Sequence, residues 1–444
     1  MPKKIDDGKV VPIKSGVDPA IADLLDIRDQ VGLRLNDKRK PIGCLENVVT
    51  ILQRDDAWRG VLAYNEFTNA LEKKIPPPFD GGKLGEWTDA DDVKLRLWLS
   101  VHFDLRANER DIAAAVGEMG DRARYHPVRD YLESIPYDGR KRVDTWLERY
   151  LGARVPTDDR DLRSAKYYEL AGRWWLISAI ARIYRPGCQA DHVLLLEGQQ
   201  GAGKSTTLGM LFGDWFSDTP LRIGDKDSYG ALRGVWGYEL AELDSFNRAE
   251  SSASKAFFSA RKDKFRPPYG HRDIIVERQT VFAGTTNHDQ YLRDSTGNRR
   301  YWPVRCGEIR LRGPDSIESD VHQLWAEALT LYHAGEKWFP TDPEHVAIFG
   351  EQQAERELGD VYEDLIYRGT LNRDEISMSE IFADILDIEP AKMTRAEQIR
   401  VGECMKRLKW RKKRIRDAGG RSYIYERDRP TDPNAEPPAD DVPF

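Results

Sequence analysis

Apolar and polar positions change rhythm several times along the chain. Residues 1–18 are mostly polar, and from about Pro19 to Leu71 short helical and strand-like pieces such as "GVLAYNEF" alternate. The stretch "KKIPPPFDGGK" (Lys73–Lys83) is a turn-rich break whose prolines forbid a helix. Apolar residues then recur at three- and four-residue steps in "DADDVKLRLWLSVHF" and "NERDIAAAVGEMGDRARYH", the second with Asn108 as a helix cap. "HPVRDYLESI" and "RVDTWLERYLG" continue that pattern, which predicts a largely helical unit up to residue 186. From Asp191 the order becomes buried strand, glycine loop, helix. Three more strand candidates follow: "GVWGYELAEL" (Gly234–Leu243), "DIIVER" (Asp273–Arg278) and "QTVFAGTTN" (Gln279–Asn287). Strands interleaved with helices predict a parallel sheet covered by helices. Residues 318–368 read helical again. Between "SMSEIFADIL" and "RSYIYER", two helical stretches, a polar turn and a short strand follow the order of a winged helix.

These shifts divide the chain into an N-terminal region of open fold (1–83), a helical domain (84–186), a phosphate-loop core (187–310), a helical lid or connector (311–370), a winged-helix-like domain (371–427) and an acidic tail (428–444). A length of 444 residues calls for roughly two to four domains. The longest apolar stretch, "WWLISAIARIY", is too short and too close to arginines to span a bilayer. "MPKKIDDGKV" does not read as a signal peptide. Four scattered cysteines, none in a CxxC pair, indicate neither a disulfide framework nor a zinc site. The expectation is a reduced protein of the bacterial cytoplasm, with no membrane association. A net charge of −7 argues against a nonspecific nucleic-acid coat, but "KRLKWRKKRIR" (Lys406–Arg416) is strongly basic and permits a local nucleic-acid surface.

The chemistry gathers around "LLLEGQQGAGKSTTL". Gly198, Gly203, Lys204 and Ser205 fit G-x-x-x-x-G-K-[ST] between a strand and a helix. In such a loop Gly198, Gly201 and Gly203 let backbone N–H groups turn inward around phosphates, and Lys204 reaches the terminal ones. Ser205 can hold Mg²⁺, and Thr206 lies in the same first turn. An acidic element should hold the metal and polarise water. "YELAELDSF" offers Glu239, Glu242 and Asp244: Glu242 is the first choice as general base, Glu239 its main rival, and Asp244 a metal ligand. Carboxylates facing solvent on a half-buried strand are the plainer account. Asn287, ending "VFAGTTN", can orient the attacking water or simply close a strand. Arg299 and Arg300, on the turn "GNRR", can bring charge to a phosphate held by a neighbouring subunit or form a surface salt bridge.

Together these segments resemble the virulence-associated protein E family, whose members are P-loop ATPases of phages and genomic islands, similar to superfamily 3 helicases and the AAA+ class. The resemblance covers about residues 100–427. It rests on "YHPVRDYLESIPYDGRKRVDTW", "LLLEGQQGAGKST", "ELAELDSF", "KFRPPYG", "VFAGTTN" and "LRDSTGNRRYWPV". It implies an α/β P-loop (AAA+/superfamily 3-like) ATPase core using ATP with Mg²⁺, a role in replicating mobile DNA, and the site residues just named. Relatives often carry a primase domain, but the first 90 residues here contain no acidic constellation that reads as a polymerase site.

In superfamily 3-like ATPases the insertion before the asparagine strand is a pore hairpin. Here "SKAFFSARKDKFRPPYGHRD" carries Lys255, Lys262, Lys264, Arg266 and His271 around Tyr269, cations for backbone phosphates and an aromatic for a base. The leading expectation is an ATP-driven DNA translocase or helicase working as a ring homo-oligomer such as a hexamer. A second is a nucleotide-switched initiator gripping origin DNA through Arg411, Lys412 and Lys413. A small-molecule kinase leaves the basic insertion unexplained. The closing "ADDVPF" resembles the acidic tip of bacterial single-stranded-DNA-binding proteins, which implies docking on host or phage replication proteins; a solubilising tail is the alternative.

Overall fold

The computed structural model describes residues 32–153, 159–223, 225, 227–241, 251–266, 273–288, 291–292, 298–357, 360–389, 393–417 and 420–427. The chain forms two compact units that meet in sequence at Arg356 and Glu357. That division falls inside the segment 311–370 read as one connector.

The first unit opens with helix α1 (Leu45–Arg54) and strands β1 (Leu62–Asn65), β2 (Ala70–Lys73) and β3 (Gly85–Glu86). Helices α2 (Asp89–Phe103) and α3 (Glu109–Arg122) and strand β4 (Arg124–Tyr125) follow. The four strands make one sheet in the order β3-β2-β1-β4. Val48, Ile51, Leu62, Leu95, Leu99, Ile112 and Val116 share a single core beneath it. The expected boundary at residues 83/84 therefore runs through one hydrophobic core. The proline-rich break at Lys73–Lys83 joins β2 to β3 rather than separating domains. Asn108 caps α3, its Oδ1 accepting from the Asp111 N–H at 2.8 Å.

Helices α4 (Pro127–Ser134), α5 (Trp146–Leu151) and the long α6 (Asp159–Tyr184) lead into the central sheet. That sheet contains β5 (Val193–Glu197), β6 (Phe216–Ser217), β7 (Gly237–Ala241), β10 (Val281–Thr286) and β11 (Tyr301–Arg305). Its order is β11-β5-β10-β7-β6, with every neighbouring pair parallel. Helix α7 (Lys204–Phe212) follows β5. Leu194 and Leu196 on one face of β5 pack with α6 and α7, while Val193 and Leu195 on the other join Tyr238, Leu240 and Phe282. A strand buried on both faces reads as a continuous apolar run, which is why "VLLLE" is so uniform. Two indole N–H groups tie α6 to this sheet: Trp175 donates to the Phe282 carbonyl, and Trp236 to that of Ala179, both at 3.0 Å.

The sheet departs from the sequence expectation at two strands. "DIIVER" supplies β9 (Ile274–Glu277), which pairs only with β8 (Lys262–Phe265) in a separate antiparallel hairpin. "YWPVR", not among the strand candidates, supplies the edge strand β11; Pro303 is tolerated there because an edge strand has one unpaired side. Helix α8 (Ser251–Ser259) precedes the hairpin, and α9 (Ile317–His333) and α10 (Pro343–Ala354) complete the unit.

The second unit runs α11 (Val361–Gly369), β12 (Glu375–Ser377), a short helical segment over 378–385, α12 (Arg395–Arg407), β13 (Trp410–Asp417) and β14 (Gly420–Arg427). Its sheet has the order β12-β14-β13, all antiparallel, over a core of Ile366, Ile376, Phe382, Val401, Met405 and Tyr425. No helix among the described residues is long and apolar enough to cross a membrane.

Candidate nucleotide site

Strand β5 ends at Glu197, and the chain turns through Gly198–Gly203 into α7. Gly201 and Gly203 hold φ of 78° and 98°, a left-handed region that a side chain makes costly. A Cβ on Gly203 would also meet Leu311 Cδ1 at 3.0 Å. The loop is thus bent by its glycines and walled by the segment that follows β11.

Lys204 folds back over the loop. Its Nζ donates to the carbonyls of Gly198 (2.6 Å) and Gln199 (2.8 Å) and to Asn287 Oδ1 at 3.2 Å. Burial pulls its pKa below the ordinary lysine value, with Cys306 and Glu239 pulling the other way. Next to it, Ser205 Oγ donates to Glu239 Oε1 at 2.7 Å, and Thr285 Oγ1 donates to the same oxygen at 2.7 Å. Glu239 is 2% exposed, and its second oxygen, Oε2, has no partner among the described residues. A buried carboxylate oxygen without a donor is costly, and a cation beside it would offset that cost. No group of three or more His, Cys, Asp or Glu side chains that could hold a metal occurs among the described residues. A divalent ion here would take Ser205 Oγ and the Glu239 carboxylate, with its remaining oxygens coming from outside the chain.

The parallel register explains this convergence. Glu239 stands opposite Ala283 in β10, two residues before Thr285, and β10 ends beside Asn287. The carboxyl ends of β5, β7 and β10 therefore bring Lys204, Ser205, Glu239 and Asn287 together. Thr206 is exposed in the first turn of α7. Glu242 and Asp244 lie outside the described residues.

Arg299 and Arg300 are placed elsewhere. They precede β11, whose Tyr301 pairs with Val193, at the amino end of the sheet. At 3.3 Å per residue, a five-residue strand separates them from their own glycine loop by about 13 Å. The Arg300 guanidinium donates to Ser259 Oγ at 2.9 and 3.1 Å and lies 3.6 Å from Asp191. Arg299 is exposed. Neither reaches the loop of its own chain.

The hairpin β8–β9 is inserted between β7 and β10, the strands carrying Glu239 and leading to Asn287. Its base is fixed by Arg278, 1% exposed, whose guanidinium meets Asp263 at 2.5–3.1 Å and the Phe257 carbonyl. Along β8 the side chains alternate, with Lys262 and Lys264 exposed and Asp263 and Phe265 buried. Lys264 lies 3.4 Å from Asp273. Lys255 sits half-buried on α8, and Arg266 is exposed at the end of β8. Tyr269 and His271 lie outside the described residues.

In the second unit the register sorts the basic run on β13. Arg411 and Lys413 flank Glu426 at 3.6 and 3.1 Å. Lys412 lies over the Tyr423 ring, 4.5 Å from its centroid, and Arg414 pairs across from Tyr423. The "ADDVPF" tail lies outside the described residues.

Several site residues escape sequence reasoning. Thr285 was hidden in an apolar strand, though its hydroxyl position before Asn287 was visible. Glu197, Arg356 and Tyr291 form a buried knot directly before the loop: Arg356 meets Glu197 at 2.9 and 3.2 Å, and Tyr291 donates to Glu197 at 2.7 Å. Arg356 comes from 159 residues downstream, so no local signal announces it.

The carboxyl edge of this parallel sheet thus sets a lysine and a helix N-terminus, which favour an anion, beside a buried carboxylate, which favours a cation. Comparison with known sequences places the chain further: the virulence-associated protein E-like domain matches residues 132–358, and the chain belongs to that family. No curated protein sequence gives a match. Among solved structures, the apo structure of the NrS-1 C terminal region (305–718) is similar, with 12% identity over 85% of this chain and 98% of its own and a TM-score of 0.43. The A form apo structure of the same region gives 10% identity, 82% and 96% coverage and a TM-score of 0.42. Likeness at that level carries no weight for fold or activity.

Proposed function

We propose that this protein is an ATP-dependent DNA translocase or helicase, working as a ring oligomer in the replication of a phage or other mobile element. The observation that carries the reading is one insertion: the basic β8–β9 hairpin leaves and re-enters the sheet between the strand of Glu239 and the strand before Asn287. In an AAA+/superfamily 3-like core, those two strands would sense the γ-phosphate, so its loss would reposition the hairpin and the DNA it holds. ATP would bind with its phosphates around Gly198–Ser205. Mg²⁺, held by Ser205 and the acidic strand, would neutralise charge developing on the phosphates. Lys204 would leave the loop carbonyls for the terminal phosphates. Glu239, or Glu242 beyond it, would take the proton of the attacking water, and Asn287 would orient that water. Arg299 and Arg300 would supply charge from the adjacent subunit.

The decisive measurement is ATP turnover with and without single-stranded DNA, alongside sizing in ATP. Stimulation by DNA and assembly with ATP are expected, and Lys204→Ala should abolish turnover. Turnover indifferent to DNA, with no assembly, would refute the reading.

A second reading, a nucleotide-switched origin binder, draws on the second unit. Helix, strand, helix, helix and a two-stranded hairpin, with β12 beside β14, follow a winged-helix order. That unit would grip duplex DNA. Loss of origin binding on substitution of the β13 cations, with basal turnover intact and no unwinding by the native protein, would favour it.

A further inference from the structure

The two sides of β5 differ in chemistry. On one side lie β10 and β7, bringing Asn287, Thr285 and Glu239, the groups suited to the phosphate that is cleaved. On the other lies β11 alone. With the terminal phosphate of a triphosphate toward Asn287, the β11 side of the glycine loop is the side left for its sugar end. What β11 presents there is Arg305, its last residue, in register with Glu197 immediately before Gly198.

Arg305 is a loosely held, exposed cation. Its nearest carboxylate is Glu197 Oε2 at 4.0 Å, but that carboxylate is already held through both oxygens by the buried Arg356. Burial acts to lower the Arg356 pKa, yet the hydrogen bonds and charge of Glu197 more than reverse this and keep it protonated. Arg356 also meets Glu355 at 2.7 Å, so two guanidinium groups share two carboxylates, and Arg305 is the one held only at 4.0 Å. The Arg305 side chain stays 61% exposed. A cation left at the mouth of a phosphate loop adds to its positive potential and is drawn to an anion there.

The segment that follows keeps this side close to the loop. The Cys306 N–H donates to the Glu197 carbonyl at 2.8 Å, and the Cys306 carbonyl lies 3.4 Å from where a Cβ on Gly198 would stand. Burial pushes the Cys306 thiol up to about 12, so it adds no negative charge to oppose a phosphate. Leu311 closes on Gly203. Arg305 through Leu311 thus lines the sugar-proximal edge of the loop.

We propose that Arg305 binds the nucleotide in its own subunit, contacting the sugar-proximal phosphates rather than the one that is cleaved. This rests on the ATP reading above and assigns a contact that reading does not contain. A residue in that place holds ADP and ATP alike, so it acts on affinity and not on the chemical step.

The test titrates fluorescent ADP and ATP analogues against the full chain carrying Arg305→Ala or Arg305→Lys, with steady-state turnover in parallel. Arg305→Ala should weaken both nucleotides about 10-fold and raise KM similarly, with kcat at saturation within about twofold of the native value. Arg305→Lys should recover part of the loss, since charge alone serves a phosphate. Native affinity in Arg305→Ala, or a fall in kcat at unchanged KM, overturns the assignment while leaving the ATPase reading standing. If the unaltered protein binds neither nucleotide, that reading falls and Arg305 with it. Because Arg305 is exposed and Arg356 keeps Glu197 paired, the variant should unfold at the native temperature, which separates lost contact from lost fold.

Discussion

The two carboxylate oxygens of Glu239 stand in different surroundings. Its Oε1 accepts from Ser205 and Thr285, while its Oε2 accepts from none of the described residues. Glu239→Gln preserves shape and removes charge. It should lower kcat by about 100-fold or more while nucleotide binding persists, as single-turnover and binding measurements would reveal. Thr285→Val removes one donor worth about 1 kcal/mol and should cost roughly fivefold in turnover. If Glu239→Gln hydrolyses ATP at the native rate, the base must be sought beyond Ala241, with Glu242 the first alternative.

At the level of elements, the hairpin is only as useful as its base is rigid. Arg278 is buried with Asp263 and caps the Phe257 carbonyl, so hinge motion at that point would break a desolvated ion pair. Arg278→Ala should destabilise the protein by about 3–5 kcal/mol in urea unfolding, and Asp263→Leu with Arg278→Met should recover much of that loss. Lys262→Ala with Lys264→Ala, by contrast, should leave stability within about 0.5 kcal/mol and reduce stimulation by single-stranded DNA. The exposed lysines and the apolar strands were legible in the sequence because alternation and apolar runs are local. The partition of strands between sheet and hairpin was not. "DIIVER" and "QTVFAGTTN" carry similar apolar content, and long-range contacts at their junction, the Arg278–Asp263 pair among them, place the first in the hairpin and the second in the sheet. The same limit hid β11, whose partner strand β5 lies far upstream in the chain. The glycine loop was plain from spacing alone, but the knot around Glu197 needed tertiary contact to appear.

For the molecule as a whole, the separation of Arg299 and Arg300 from their own loop makes a prediction about mixtures. Arg299→Ala and Lys204→Ala should each be inactive, yet a mixture of the two should regain part of the native turnover. In such a mixture some sites pair an intact loop with an intact arginine turn. No recovery at any ratio would remove the arginines from the neighbouring site. Acid sensitivity is a second whole-molecule property. His126 is buried and His192 largely so, and desolvation holds both pKa values below the ordinary 6.5. The unfolded chain binds protons at these rings first, so stability should fall as pH drops below about 6.5. Replacing His192, which stacks on Trp302 at 4.2 Å, with Phe should flatten that dependence in thermal melts between pH 7 and pH 5.

The knot joining Glu197 to Arg356 also sets a rule for cutting the chain. A fragment ending at Gln352 strands an ionised carboxylate in a dry interior, next to the loop it should steady. A fragment ending at Leu358 retains the counter-charge. Of two pieces differing by six residues, only the longer should stay soluble and hold nucleotide.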